Sequence, residues 1–139
     1  MTPDQRQQLE HLGQSLDEGQ LDNTILLLKT APSLLPLLAP LLIDPRFRVR
    51  AGVYSVLLEL ADSEQDFSHL AQAISHNLQH PEPVYRGDST TALGVIGGPE
   101  QLNSLRGLLQ DSNNQVAQLA KESIEEILER FPDYPQGVV

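Results

Sequence analysis

The sequence of 139 residues contains no cysteine and no tryptophan, and it has only three phenylalanines and three tyrosines. A chain without cysteine forms no disulfide, no thiolate zinc site and no iron–sulfur cluster, and it offers no Cys nucleophile. Because aromatic residues are so few, leucine, isoleucine, valine and alanine must fill the core. The lack of cysteine also fits a reducing compartment, so we expect a cytoplasmic protein.

Long apolar runs are absent as well. The most apolar stretch covers residues 34–43 and contains Pro36 and Pro40. A membrane-spanning helix needs about 20 apolar residues, roughly twice this length. The first twelve residues are polar and lack the apolar segment of a secretory signal. We therefore expect no membrane partner.

Basic residues are scarce relative to acidic ones. The chain has 9 Lys and Arg residues against 19 Asp and Glu residues, which gives a formal net charge of −10. Because nucleic-acid phosphates would be repelled by this charge, we expect no nucleic-acid partner. The acidic balance fits a chain that stays dispersed in solution, or one that binds a basic partner.

Three segments of the chain can be aligned with one another: residues 44–50, 80–86 and 111–117. Their first residues, Asp44, His80 and Asp111, are 36 and 31 residues apart. A repeat of roughly 30 to 40 residues is typical of stacked helical hairpins. Leucine-rich segments precede each of the three starts, and prolines, Asp, Ser and Asn residues occupy the turns.

The aligned segments are followed by an apolar stripe with the spacing of one helix face. The stripe falls five, nine, twelve, thirteen and sixteen residues after each start. In order, these positions hold Val49, Tyr85 and Val116; Val53, Ser89 and Ala120; Val56, Ala92 and Ser123; Leu57, Leu93 and Ile124; and Leu60, Ile96 and Ile127. Each unit is therefore predicted as a first helix, a turn and a second helix, with boundaries at 33–61, 66–97 and 99–130.

The two ends of the chain depart from the repeat. Residues 1–30 predict a further helical pair that does not follow the template, and we interpret it as a cap or a degenerate repeat. Residues 114–130 predict a long closing helix. Residues 131–139 are rich in proline and glycine and are expected to form a flexible tail. The length fits a single domain over residues 1–139.

The pattern of Asp44 followed by Val49 and Arg50, together with Ala-Leu-Gly-Val-Ile-Gly at 92–97, resembles HEAT repeats. The closest subtype is the short bacterial kind, the lyase HEAT-like repeat. The resemblance implies an all-α fold: a short right-handed α-solenoid of about three HEAT-like hairpins behind an N-terminal helical pair. It also implies a polar ladder between the Asp of one repeat and the Arg of the next. Because His80 and Ala117 depart from that pattern, we expect only a partial ladder.

Three histidines are candidates for a metal site. His69, His76 and His80 are spaced by seven and four residues, so a continuous helix would place them on one face. A metal needs such convergent ligands, whereas the alternative is a polar row favoured by the negative end of the helix dipole. Some HEAT-like proteins are iron hydroxylases that carry His-Glu dipeptides. This chain has no such dipeptide, and we expect no cofactor.

An arginine cluster stands out in the acidic chain. Arg46, Arg48 and Arg50, with Tyr54 one turn later, could anchor a carboxylate or phosphate of a partner. Alternatively, Arg50 belongs to the ladder and the other two are solvated at a turn. Tyr85 and Arg86 open the corresponding helix of the next unit, where they form either core packing or an interaction hot spot.

Fold alone does not give function. We expect a non-catalytic protein–protein interaction module, such as an adaptor, a scaffold or an assembly chaperone, that uses the concave surface of its second helices. The contact candidates are Arg46, Arg48, Arg50, Tyr54, Tyr85, Arg86, Gln118 and Lys121. The alternative is a lyase-like or ligand- and metal-handling protein, because phycobilin lyases use this repeat type. The exposed ends of a short stack also allow self-association.

Overall fold

The computed structural model describes residues 1–135, and this part of the chain is helical with no β-strand, which confirms the all-α prediction. Its α-helices are α1 (Pro3–Asp17), α2 (Leu21–Thr30), α3 (Leu38–Leu41), α4 (Phe47–Leu60), α5 (Ser68–Ser75), α6 (Pro83–Ile96), α7 (Leu102–Arg106) and α8 (Asn114–Arg130). Short 3-10 helices cover Pro32–Leu37, His76–Gln79 and Pro99–Gln101. Among these helices, none combines the length and the apolar character that a membrane crossing requires.

The first helix of each predicted unit is short or broken. The leucine-rich segment before Asp44 is a 3-10 helix over Pro32–Leu37 followed by the single turn of α3. Pro36 lacks an N–H and its ring would clash with the carbonyl four residues earlier in a regular α-helix. The segment forms a tighter and less regular helix that buries Leu35, Leu38, Leu41 and Leu42 and leaves Leu34 and Leu37 partly buried.

The second helices are long and regular. We use the name "second helices" for α4, α6 and α8, which follow the three aligned turns. Helix α6 contacts α4 on one side and α8 on the other, while α2 contacts α4. Among the short elements, the Pro32–Leu37 segment and α3 both contact α5. Helix α6 is therefore covered on two sides.

The predicted apolar stripe lies in the core. Val49, Val53, Val56 and Leu60 of α4 are all fully buried, and the equivalent positions of α8 are buried too. Tyr85 and Ile124 are the exceptions, because both are only partly buried. The buried aliphatic side chains form one continuous cluster, as expected for a single packed core.

Small residues set the closest helix contacts. A Cβ at Gly52 would lie 3.0 Å from Leu16 Cδ2, so glycine lets α1 approach α4. A Cβ at Gly94 would lie 2.7 Å from Ser123 Oγ, where α8 crosses α6. The tight α6–α8 contact therefore depends on the absence of a side chain at Gly94.

The C-terminal end of the described chain packs onto the core. Tyr134 is partly buried against the core cluster, and its N–H donates to the Phe131 carbonyl at 3.1 Å. The remaining residues of the predicted flexible tail, 136–139, lie outside the described residues.

A candidate interaction face on the second helices

The turn before each second helix contains the same hydrogen bond. Asp44, His80 and Asp111 each accept the backbone N–H of the residue two positions later, at 2.8, 3.0 and 2.9 Å. His80 accepts through Nδ1, so its imidazole carries no proton on that nitrogen. The histidine that departs from the repeat thus performs the same turn-forming role as the two aspartates.

The arginine six residues after the start makes a second repeated contact. Nη1 of Arg50 donates to the carbonyls of Asp44 and Pro45 at 2.8 and 3.1 Å. Nη1 of Arg86 donates to the two equivalent carbonyls of the next turn at 2.9 and 3.0 Å. Each arginine therefore closes the turn in front of its own helix.

Arg86 also bridges to the following unit. Its Nε and Nη2 donate to Oδ2 and Oδ1 of Asp111 at 2.9 and 2.8 Å, in a two-point fork. Both side chains are largely buried. The hydrogen bonds from Arg86 hold the pKa of Asp111 below its usual value. This pair joins the Arg of one unit to the Asp of the next, whereas the resemblance implies contacts between the Asp of one repeat and the Arg of the next.

Arg50 contacts a different position of the following unit, which begins with His80 where the third unit has an aspartate. Its Nε donates to Oδ2 of Asp88 on α6 at 2.8 Å. Its guanidinium carbon lies 5.3 Å from the centre of the Tyr85 ring and 5.8 Å from that of Phe47. The His80 ring meets Tyr85 edge-on at 4.8 Å between centroids. Tyr85 is therefore held between Arg50 and His80, at the junction of α4 and α6.

A second row of apolar side chains, here called the α4 stripe, faces outward on α4. Phe47, Tyr54 and Leu58 are 72%, 38% and 48% exposed. Their spacing of seven and four residues places them along one face of the helix, separate from the buried stripe. Single exposed apolar residues are common, but a row of large ones on one helix marks a candidate binding surface.

Two grooves flank α6. The groove between α4 and α6 has a volume of about 170 Å³, and the one between α6 and α8 has about 380 Å³. Arg50, Phe47 and Tyr54 line the first groove. Val84 and Leu119 line the second, and Asp88 lines both. The two grooves and the α4 stripe together form the candidate interaction face.

Arg46 and Arg48 have other partners than Arg50. Arg46 forms a fork with Asp44, at 3.0 Å for both contacts, and lies 3.9 Å from the Asp17 carboxylate. Nε of Arg48 donates to the Asp17 carbonyl at 2.7 Å. These two arginines tie the end of α1 to the start of α4, so the three arginines do not converge on one anion site.

The two predicted contact residues of α8 lie on its exposed surface. Gln118 and Lys121 are both exposed, and Gln118 donates to Glu122 at 3.1 Å along the same helix. They have no contact with the Arg50–Asp88 pair among the hydrogen bonds of residues 1–135.

The three histidines are not brought together. His69 lies on α5, His76 begins the 3-10 helix after it, and His80 follows that helix. A 3-10 helix has about three residues per turn, so the face that a continuous α-helix would share is lost. Over residues 1–135, no group of three or more His, Cys, Asp or Glu residues could hold a metal ion.

The contact residues predicted from the sequence did not include Asp88, Phe47 and Leu58, which lie on this face. Phe47 and Leu58 fall outside the buried stripe of α4, and their spacing from Tyr54 was the available signal. Asp88 had no such signal, because its role depends on Arg50, 38 residues away in the chain.

Comparison of the chain with protein-family models, with curated proteins and with solved structures gives no match.

Proposed function

We propose that the chain is a non-catalytic protein-interaction module, built as a short right-handed α-solenoid of HEAT-like hairpins. The second helices provide its docking face, and the partner is another protein or a peptide. The observation that carries this proposal is the exposed stripe of Phe47, Tyr54 and Leu58 beside the groove that contains Arg50.

The repeated turn contacts support the solenoid part of the proposal. Equivalent residues of successive units make equivalent hydrogen bonds, and α6 lies between α4 and α8. In a solenoid each unit contacts only its neighbours, and one face runs across all units. Such a face suits an extended or helical segment of a partner.

The chemistry of the α4 stripe supports the binding part. Aromatic side chains and arginine are the residue types that dominate protein interfaces, and Phe47, Tyr54 and Arg50 lie around one groove. Truncating one interface anchor typically costs about 2 kcal/mol, or about 30-fold in Kd. Because Arg50 is already held by Asp88 and by backbone carbonyls, little side-chain entropy is lost when a partner binds beside it.

Affinity capture with matched variants tests the proposal. The tagged chain, Phe47→Ser, Tyr54→Ser and the control Leu109→Ser are incubated with lysate of the source organism. Leu109 is also an exposed apolar residue, 39% accessible, but it lies between α7 and α8. We expect one protein to be retained by the wild type and by Leu109→Ser and lost from the two stripe variants.

Two results would contradict the proposal. One is the absence of any stoichiometric partner, with light scattering showing that the chain also does not bind itself. The other is a partner retained equally by all four proteins. Circular dichroism of each variant must first show unchanged helical content, so that a loss of binding is not a loss of folding.

A further inference from the structure

We propose that the groove between α6 and α8 binds a lysine or arginine side chain of the partner, next to an aliphatic residue. This inference rests on the proposed function and specifies the partner's chemistry: a basic segment that also carries an apolar residue. Its basis is the combination of open carboxylate oxygens and apolar walls in one groove.

The groove has apolar walls on both sides. Pro83 and Val84 of α6 face Val116 and Leu119 of α8, and Val84 is 50% exposed. Gly87 lies between the walls, and a Cβ at that position would lie 3.3 Å from Leu119 Cδ1. The absence of a side chain at Gly87 lets α8 pack closely on α6, and the exposed side of Val84 offers an apolar surface that suits the methylene stem of a long side chain.

The charged residues that line the groove are all acidic. They are Glu82 and Asp88, and the lining contains no lysine or arginine. Asp88 uses Oδ2 for Arg50, whereas its Oδ1 accepts no hydrogen bond from residues 1–135. The Glu82 carboxylate also has no salt bridge or hydrogen bond within that part of the chain. These oxygens can accept the three N–H donors of a lysine ammonium or the fork of an arginine.

An anion is a poorer occupant although the groove lies at two helix N-termini, which commonly attract anions. The Asn113 side chain already accepts the N–H groups of Gln115 and Val116 at 3.0 and 3.1 Å. The N–H of Glu82 donates to His80. With these donors occupied, and with a chain net charge of −10, the groove favours a cation.

The dimensions are compatible with this occupant. A volume of about 380 Å³ falls at the lower end of the roughly 300–1,000 Å³ of ligand sites. The groove therefore has room for one long side chain and a neighbouring aliphatic residue. Because Asp88 also lines the α4–α6 groove, a segment that fills both grooves would place its apolar anchor near Phe47 and its basic residue near Glu82.

Selection from a random-peptide display library on the intact folded chain tests the inference. We expect enrichment of Lys or Arg beside Leu, Ile, Val or Met. A fluorescein-labelled selected peptide is then titrated by anisotropy, together with the same peptide in which the basic residue is replaced by Gln. The replacement should weaken binding by about threefold or more, and high salt should reduce the difference.

Matched protein variants locate the contact. Glu82→Gln should weaken the selected peptide by about threefold, whereas Glu100→Gln, an equal charge change at an exposed site outside the groove, should leave Kd unchanged. Val84→Ser should weaken it by about tenfold, and Leu109→Ser should not. Glu82 and Val84 are exposed, so neither change removes a core contact.

The outcomes separate the inference from the proposed function. Peptides without basic residues that depend on Phe47 and Tyr54 but not on Glu82 would overturn the inference and leave the interaction module intact. Equal weakening by Glu82→Gln and Glu100→Gln would also overturn it, because only net charge would matter. Failure to select any peptide, with loss of the captured partner in all stripe variants, would overturn the inference alone.

Discussion

Arg50 donates from Nε to Oδ2 of Asp88 at 2.8 Å. This contact joins the first unit to the second, as the Arg86–Asp111 fork joins the second unit to the third. The two junctions differ in exposure. The Asp88 side chain is 41% exposed, whereas that of Asp111 is 7% exposed. The same type of ion pair therefore has two different environments in one molecule, and its contribution to stability should differ accordingly.

The Arg86–Asp111 fork should be the more stabilising pair. We expect Asp111→Asn to lower the free energy of unfolding by about 1–3 kcal/mol, because it removes charge-assisted hydrogen bonds to a largely buried guanidinium. Asp88→Asn should cost at most about 1 kcal/mol, as is usual for exposed pairs. Urea unfolding followed by circular dichroism measures both values. Equal losses of unfolding free energy for the two substitutions would contradict the expectation that the Arg86–Asp111 fork is the more stabilising pair.

The contribution of Asp111 should disappear in acid. Its pKa is lowered in the folded state, chiefly by hydrogen bonds from Arg86, from an ordinary value of 3.8. A lowered folded-state pKa means that the stabilisation is fully present above about pH 3.8 and is lost as the pH falls through the lowered pKa. The difference in unfolding free energy between wild type and Asp111→Asn should therefore be constant near neutral pH and shrink below about pH 4.

Unfolding curves at a series of pH values check this expectation. Glu100→Gln serves as the control, because Glu100 is exposed and forms no ion pair among residues 1–135. A difference that grows in acid would mean that Asp111 is not the group whose ionised form stabilises the fold.

Replacing His80 with aspartate should give Arg50 a second carboxylate partner, at position 80. His80→Asp retains an acceptor for the Glu82 N–H. It also places a carboxylate at the position equivalent to that of Asp111, which accepts the hydrogen bonds of Arg86. We expect Arg50 to gain this second carboxylate, so that Asp88→Asn costs less in the His80→Asp background than in the wild type. A double-mutant cycle measures the coupling, for which contacting residues give about 0.5 kcal/mol or more.

The change in total stability is a poor readout here, because His80→Asp also removes the edge-on contact with Tyr85. The cycle isolates the interaction between the two positions. An unchanged cost of Asp88→Asn in both backgrounds would show that the side chain at position 80, the start of the second unit, does not reach Arg50 of the preceding unit.

The repeat in the sequence predicts the buried face of the second helices, because apolar spacing reports directly on helix periodicity. It anticipates that Val49 and Ala120 are buried and that α8 covers residues 114–130. It fails where the outcome depends on distant residues or on backbone detail. The Arg50–Asp88 pair depends on the relative placement of two helices, and the 3-10 helix at His76 separates the histidines.

Two buried serines should respond differently to the loss of their hydroxyl. Ser89 Oγ is fully buried and has no hydrogen-bond partner within residues 1–135, whereas Ser123 Oγ donates to the Thr90 carbonyl at 2.9 Å. An unpaired buried hydroxyl loses its hydration without compensation, so Ser89→Ala should leave stability unchanged or raise it by up to about 1 kcal/mol. Ser123→Ala should lower it by about 1 kcal/mol, because the Thr90 carbonyl loses a donor.

Thermal and urea unfolding of the two variants, each the same chemical change in a buried helix position, give the comparison. A loss of stability in Ser89→Ala equal to that in Ser123→Ala would show that Ser89 has a partner, such as a buried water, in solution.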